Sequence, residues 1–340
     1  MSDDIDWKNA MPKETEHFHQ KICEVIQSLP EDGSYHRLTS RRLIPVFALA
    51  IFLLSSVTVF AAIKWNDRAV DHFNADEKMQ HNLSEEGYSR QDIQSVMDNS
   101  ITVTLKQTIQ DENMIYLLFN ITTDNIELSE NNLLSYDMKV NDSSDFYTSI
   151  SSGFVDKFTE PKVSNSREYE IWIQKDTSYN FSDAILNCNF NALQETTDKG
   201  GAVVDLARGQ WNFNINLKVK DSITINLNKN VSIDGCNVLV RSLKISPLSY
   251  TLICSGQDVR ELQRLNNIDL NELDITYPLI ISGIKYEAGT IIPQIAGLMS
   301  EGFADESGDY IAIGKFSDAI DIEQIQSILF GEKKNELIIK

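Results

Sequence analysis

Residues 101–121 read ITVTLKQTIQDENMIYLLFNI, and the fold class follows from this stretch. Ile101, Val103 and Leu105 alternate with Thr102, Thr104 and Lys106, the period of two that sends successive side chains to opposite faces of a strand. Gln110, Asp111, Glu112 and Asn113 form a polar turn, and the apolar run Ile115 to Ile121 follows. Two runs around a polar turn predict a β-hairpin. The pattern recurs at Tyr136 to Val140, Glu168 to Gln174, Ala184 to Phe190 and Trp211 to Val219. It recurs again at Ile223 to Leu227, Asn237 to Ile245, Leu248 to Cys254, Asp274 to Ile281, Tyr310 to Phe316 and Asn335 to Ile339. Many short strands joined by polar turns predict a mainly β chain built as β-sandwiches. No internal repeat is visible, so two unlike sandwiches are expected, over 100–208 and 209–340. One helix is expected among them, Ile320 to Leu329, with Ser317 and Asp318 as caps and Gly331 as its stop.

Working back from the hairpin, residues 64–99 are polar and read as a stalk, in which Ser89 caps a short helix running to Met97. Before it, Leu43 to Ile63 (LIPVFALAIFLLSSVTVFAAI) runs 21 residues without a charge. At about 1.5 Å per residue such a helix crosses a hydrocarbon layer of about 30 Å once. Arg37, Arg41 and Arg42 precede this run, so residues 1–42 are expected in the cytoplasm and 64–340 outside, with Trp65 at the membrane interface. Val59, Phe60 and Ala61 resemble a signal-peptidase site, but the long acidic segment before the run favours an uncleaved anchor. No cysteine ends the run, which argues against a lipoprotein.

In the tail, Phe18, Ile22, Val25, Ile26 and Leu29 fall on one face of an amphipathic helix over 14–29, stopped by Pro30. The tail offers nothing to bury that face, and Glu14, Glu16 and Glu24 on the other side suit a lipid surface poorly. Docking in the groove of a protein partner is the expectation, against a tail that merely precedes the anchor. His19 and Cys23 stand four apart, but no further pair of ligands accompanies them, so no metal site is expected.

Net charge is −20, and of 30 basic and 50 acidic residues 6 and 8 precede residue 64, leaving 24 and 42 beyond it. So acidic a surface repels nucleic acid and anionic lipid. The five histidines are His17, His19, His36, His72 and His81, so a His-dependent triad or zinc protease in the β region is excluded. No HExxH, GxSxG or glycine-rich phosphate loop occurs, and no catalytic residue or cofactor is expected. A carboxylate pair alone would leave glycosidase chemistry open. Asp305 to Asp309 (DESGD) reads as a turn before a strand rather than a calcium loop. Trp172 and Trp211 are expected on strand faces as packing residues. Cys236 and Cys254 flank a possible hairpin, but a turn at Ser246 and Pro247 sets Cys254 opposite Leu239, which disfavours a bridge.

The order of these features resembles a family. Pro12, Phe18, His19, Ile22, Leu29 and Pro30 in the tail, a basic cluster, a span ending Val59-Phe60-Ala61-Ala62, and a hairpin opening Ile101-Thr102-Val103-Thr104 with Asp111 in its turn look like the Gram-positive single-pass anti-sigma-factor-like proteins, whose outer part is a domain of unknown function. Trp211, Phe213, Ile245-Ser246-Pro247-Leu248 and Phe316 to Leu337, with Asp321, Ile322, Ile325, Ile328 and Gly331, are similar to the C-terminal immunoglobulin-like domain of that family. The resemblance implies control of an extracytoplasmic-function sigma factor, bound by the tail helix, with the outer domains sensing an extracellular ligand. The alternative is a non-enzymatic, surface-anchored binding or structural module of the cell envelope. The chain departs from zinc-binding anti-sigma factors, which need a histidine and two cysteines where only His19 and Cys23 are present.

Overall fold

The computed structural model describes residues 64–155, 164–176, 179, 181, 184–197, 202–218, 222–233, 235–265, 281–293, 298–303, 308–330 and 335–339. The tail helix with Phe18, Ile22, Val25, Ile26 and Leu29, the span at 43–63, and residues 274–280 of one expected strand lie outside them. Among the described residues no helix is long and apolar enough to cross a membrane.

The chain is mainly β, in several antiparallel sheets with few helices. Strands β3 (Ile101–Gln110) and β4 (Met114–Thr123) form the expected hairpin, in register from Ile101 opposite Thr123 to Gln110 opposite Ile115. Beyond β4 lie β7 (Ser166–Lys175) and then β6 (Tyr147–Val155); β1 (Ser89–Arg90) and β2 (Gln94–Asp98) line the other edge of β3. A second sheet holds β5 (Asn132–Val140), β8 (Ala184–Thr196) and β9 (Val203–Leu217). Ile101, Val103, Leu105, Ile115, Leu117 and Phe119 from the first sheet meet Leu186, Phe190, Trp211 and Phe213 from the second in one core.

A second β unit repeats this plan with other strands. One sheet runs β10 (Ile223–Ile233), β11 (Cys236–Ile245), β12 (Ser249–Cys254), β16 (Tyr310–Lys315) and β15 (Leu298–Phe303). The other runs β14 (Ile291–Pro293), β13 (Ile281–Tyr286), β17 (Ile325–Phe330) and β18 (Asn335–Ile338). Val238, Leu252, Ile284, Ile328 and Phe330 share its core with Val259 and Leu262 of helix α3 (Gly256–Leu265).

Four expectations are corrected. Ser89 to Met97 is not helical: Asn99 and Ser100, at φ 47° and 62°, make a two-residue turn that folds β2 back on β3 with Asp98 opposite Ile101. Both residues in the left-handed region is the hairpin geometry whose twist matches the strands, and it satisfies the edge of β3. Ile320 to Leu329 is a short 3₁₀ turn, Ile322–Gln324, leading into β17, paired on both sides by β13 and β18. The apolar spacing there records a strand buried on both faces, which imitates a helical stripe. The boundary at 208/209 falls inside β9, whose Trp211, Phe213, Ile215 and Leu217 belong to the first core, so the change of unit lies after Leu217. Within β9 the indole of Trp211 lies against Gly209, 2.4 Å from where a Cβ would stand. Residues 64–88 are not a free stalk, because they pack between the two β units.

The cysteine register is one residue off the expectation, because a bulge between Val240 and Ser242 sets Cys254 opposite Val240. Cys188, Cys236 and Cys254 are free thiols. Burial pushes the Cys254 thiol up to about 12, so it stays protonated and unreactive.

Gly209→Ala should therefore destabilise the first unit by about 1–3 kcal/mol through overpacking. Urea unfolding of the solubilised chain checks this, and an unchanged midpoint would show that Trp211 moves aside at no cost.

Candidate functional site

The tip of the β3–β4 hairpin is aimed at the second β unit. Asp111 is fully buried, and its carboxylate gathers four donors. Oδ1 accepts the backbone N–H groups of Asn113 and Met114, both at 2.9 Å, closing the turn locally. Oδ2 accepts the hydroxyls of Ser246 and Ser249 from the β11–β12 turn, the second at 2.5 Å. Asn113 donates to Ser249 Oγ at 2.9 Å and accepts from Thr251 Oγ1 at 3.3 Å. A carboxylate withdrawn from water is tolerated only when its lone pairs are met, and here half the donors come from each unit.

Two cations flank this contact. Lys244 of β11 bonds Glu112 at 3.0 Å, while the Ser222 N–H reaches Glu112 from 3.4 Å. Burial opposes ionisation of Glu112, yet Lys244 and Ser222 hold its carboxyl below the ordinary value. Lys175 at the end of β7 is buried, donates to the Asp111 carbonyl, and sits 4.6 Å from the centre of the Phe181 ring. Burial lowers its ammonium to about 8 against the pull of Asp111 and Glu112.

Helices α1 (Asp67–Phe73) and α2 (Glu77–Glu85) fill the angle between the units. Each starts on a side-chain cap, Asn66 accepting from the Arg68 N–H and Asp76 from the Met79 N–H, and Asn74 ends α1 in the left-handed region. Trp65, expected at a membrane interface, is 1% exposed. Its indole N–H donates to Ser84 Oγ at 3.0 Å and its backbone N–H to Gln80 Oε1 at 3.2 Å. Asn66 N–H donates to Gln107 Oε1 of β3 at 2.9 Å. Trp65, Ala69, Phe73 and Leu83 pack on Ile109, Met114, Tyr116 and Leu118 of the first unit and on Leu248 and Ala319 of the second. The Ala319 N–H also donates to the Phe73 carbonyl at 2.8 Å. β4 is thus buried on both faces, with Ile115, Leu117 and Phe119 in the sandwich core and Met114, Tyr116 and Leu118 under the helices. That is why its apolar run is continuous rather than alternating.

A clasp closes over α1. Arg68 Nε meets Glu170 Oε1 at 2.7 Å, and the Tyr116 hydroxyl donates to the same oxygen at 2.7 Å. His72, one turn beyond Arg68, lies 4.5 Å from the Trp172 ring centre and 5.6 Å from that of Tyr116. Lys315 of β16 lies 4.3 Å from the centre of the Trp172 ring. Burial pulls the His72 imidazole down to about 4, with Lys315 and Arg68 adding to the fall and Glu170 opposing it.

Two clefts adjoin the junction and the second unit. One, of about 270 Å³, is lined by Asp76, Lys78 and Asn82 of the α2 region and by Tyr286, Asp318 and Asp321. The other, of about 300 Å³, is lined by Ile223, Ile225, Ile322, Glu323, Ile325 and Ile339. Among the described residues no three His, Cys, Asp or Glu side chains are placed to hold a metal ion. Of the loop 305–309, Gly308 and Asp309 are described, and Asp309 pairs with Arg241 at 2.8 Å. Trp211 is a core residue as expected, whereas Trp172 faces the helices and the clasp. Sequence reasoning places Asp111 in its turn but misses the junction. The available signals are the cap pairs Asn66-Asp67 and Asp76-Glu77, each opening a short amphipathic segment.

No protein-family description matches the chain, and no curated relative was found. Among solved structures, the conserved domain protein from Bacillus anthracis is 13% identical, with a TM-score of 0.46 over 72% of this chain and 77% of that one. The N-terminal periplasmic domain of ScsB from Proteus mirabilis is 8% identical, with a TM-score of 0.23 over 74% of this chain and 98% of its own. Both scores are low, so neither likeness carries weight, and the fold rests on its own strands and cores.

Asp111→Ala should cost about 3 kcal/mol or more, since each orphaned buried donor costs about 1–3 kcal/mol. Ser249→Ala removes one donor of four and leaves the Asn113 side-chain N–H without its acceptor, so it should cost about 1–3 kcal/mol and less than Asp111→Ala. Urea unfolding read by tryptophan fluorescence separates the two, and equal losses would remove Asp111 from the centre of the contact.

Proposed function

We propose that this chain is a membrane-anchored signalling protein of the anti-sigma-factor-like kind. In this reading residues 43–63 cross the membrane once, and two immunoglobulin-like β-sandwich domains form an extracytoplasmic sensor. The cytoplasmic helix over 14–29 binds an extracytoplasmic-function sigma factor through Phe18, Ile22, Val25, Ile26 and Leu29. The observation that supports it best is the packing of Trp65, Ala69, Phe73 and Leu83, in the segment following the expected span, between the two β units. A flexible stalk would absorb any change in the outer domains. A segment wedged in their junction moves when the junction moves, so a stimulus that alters the angle between the units reaches residue 64.

Two arrangements speak for a sensor over a passive module. The junction is polar at its centre, with Asp111, Asn113, Ser246, Ser249, Glu112 and Lys244, and interfaces of that kind between domains of one chain permit relative motion. The cleft between the α2 region and the Asp318 to Gln324 segment would change shape with that motion.

Phe18→Asp with Ile22→Asp should abolish recovery of a cytoplasmic partner while leaving membrane insertion intact. The check is affinity recovery of the full-length protein from its native membrane in mild detergent, with mass spectrometry, beside a form lacking residues 1–34. A sigma factor recovered with the intact tail alone supports the regulator. Identical recoveries from all forms would make the tail an anchor and the chain a surface-bound binding or structural module.

A further inference from the structure

We propose that Arg68, His72, Tyr116, Glu170, Trp172 and Lys315 form an acid-sensitive latch, in which protonation of His72 frees α1 from the first sheet and loosens the junction. This gives the signalling reading above a chemical stimulus, and it rests on α1 being the element that transmits.

The geometry carries it. His72 sits between its own helix and strands of both units, within ring-contact distance of Phe73, Tyr116 and Trp172. The charged and titratable groups facing it are Arg68 on α1, Tyr116 on β4, Glu170 on β7 and Lys315 on β16. Two are cations and one is a carboxylate, and Glu170 Oε1 already accepts both Arg68 and Tyr116. A protonated imidazole brings a third positive charge to one carboxylate in a half-buried site. While α1 is docked, the half-buried ring is held against Trp172 and Tyr116 and can hydrate only in part. Undocking relieves both costs at once. Lys315 comes from the second unit, so the same repulsion acts across the junction. The other described histidine, His81, is exposed on α2 beside Glu85 and carries no comparable constraint.

The sign follows from the direction in which the imidazole is pulled. His72 falls from 6.5 to about 4 when docked, so the undocked state binds more protons between those values. Docking is unaffected above about pH 6.5 and weakens as the pH falls toward about 4. The loss approaches tenfold for each step of one in pH, on the order of a hundred-fold in all.

Hydrogen exchange of the full-length protein in mild detergent, followed by mass spectrometry at about pH 7 and about pH 4.5 and corrected for intrinsic rates, tests this. Peptides spanning 66–74 should open on the order of a hundred-fold more at the lower pH while β8 and β11 keep their protection. His72→Phe keeps a packed ring without a titrating group and should flatten that response. Lys315→Met removes one of the repelling cations and should shrink it, which keeps the test decisive if the first variant folds poorly. A wild type with pH-independent protection at α1, or variants that respond as the wild type does, would overturn the latch. Acid opening of α1 without a recoverable cytoplasmic partner would leave the latch standing and remove the sigma-factor reading; a partner recovered beside flat exchange would do the reverse.

Discussion

A carboxylate taken fully out of water must find donors for its lone pairs, and Asp111 meets that demand by drawing on both halves of the molecule. Its own turn supplies two backbone N–H groups, and the β11–β12 turn supplies two serine hydroxyls. Neither half can satisfy the group alone. Separating the units either strands the charge or lets water flood the contact. The geometry of the junction is therefore directional where an apolar contact would slide. A polar seam of this kind adds little net affinity: it sets the orientation of its two sides while closed, and once water replaces the serine donors it lets them part.

Around that fixed point the helices act as a wedge. β4 gives one face to the sandwich and the other to α1 and α2, so the strand carrying the hairpin into the second unit is also the platform for the segment after residue 64. Trp65 ties the start of that segment to Ser84 and Gln80, and Phe73 ties its middle to Ala319. Short helices of this length are unstable in isolation and hold their shape through packing. Their order is a readout of whether the junction is closed.

The hairpin at 101–121 is legible because two apolar runs and a polar turn leave few alternatives. The continuous apolar run of β4 carries a further message, since only a strand covered on both sides tolerates it. Three features are hidden for separate physical reasons. β17 is buried on both faces, and with Ile322, Ile325 and Ile328 three apart its period resembles a helix. The expected boundary at 208/209 falls inside one long strand, because β9 runs on through Gly209 with the Trp211 indole packed against it and nothing local separates that from a change of unit. Trp65 next to an apolar run suggests a lipid interface, and no local pattern discloses that Gln80 and Ser84 await it 15 and 19 residues away. The cluster at His72 depends on β4, β7 and β16 converging, so no window of sequence contains it.

The most direct test of the junction as the organising element is native-state hydrogen exchange on the full-length chain carrying Asp111→Asn, which keeps the shape and removes the charge. Protection should fall together in α1, α2, the hairpin turn and the β11–β12 turn, while β8 and β11 exchange as in the wild type. A loss confined to residues 111–114, with α1 and α2 unchanged, would contradict a wedge held by that contact and leave the two β units as separately stable bodies.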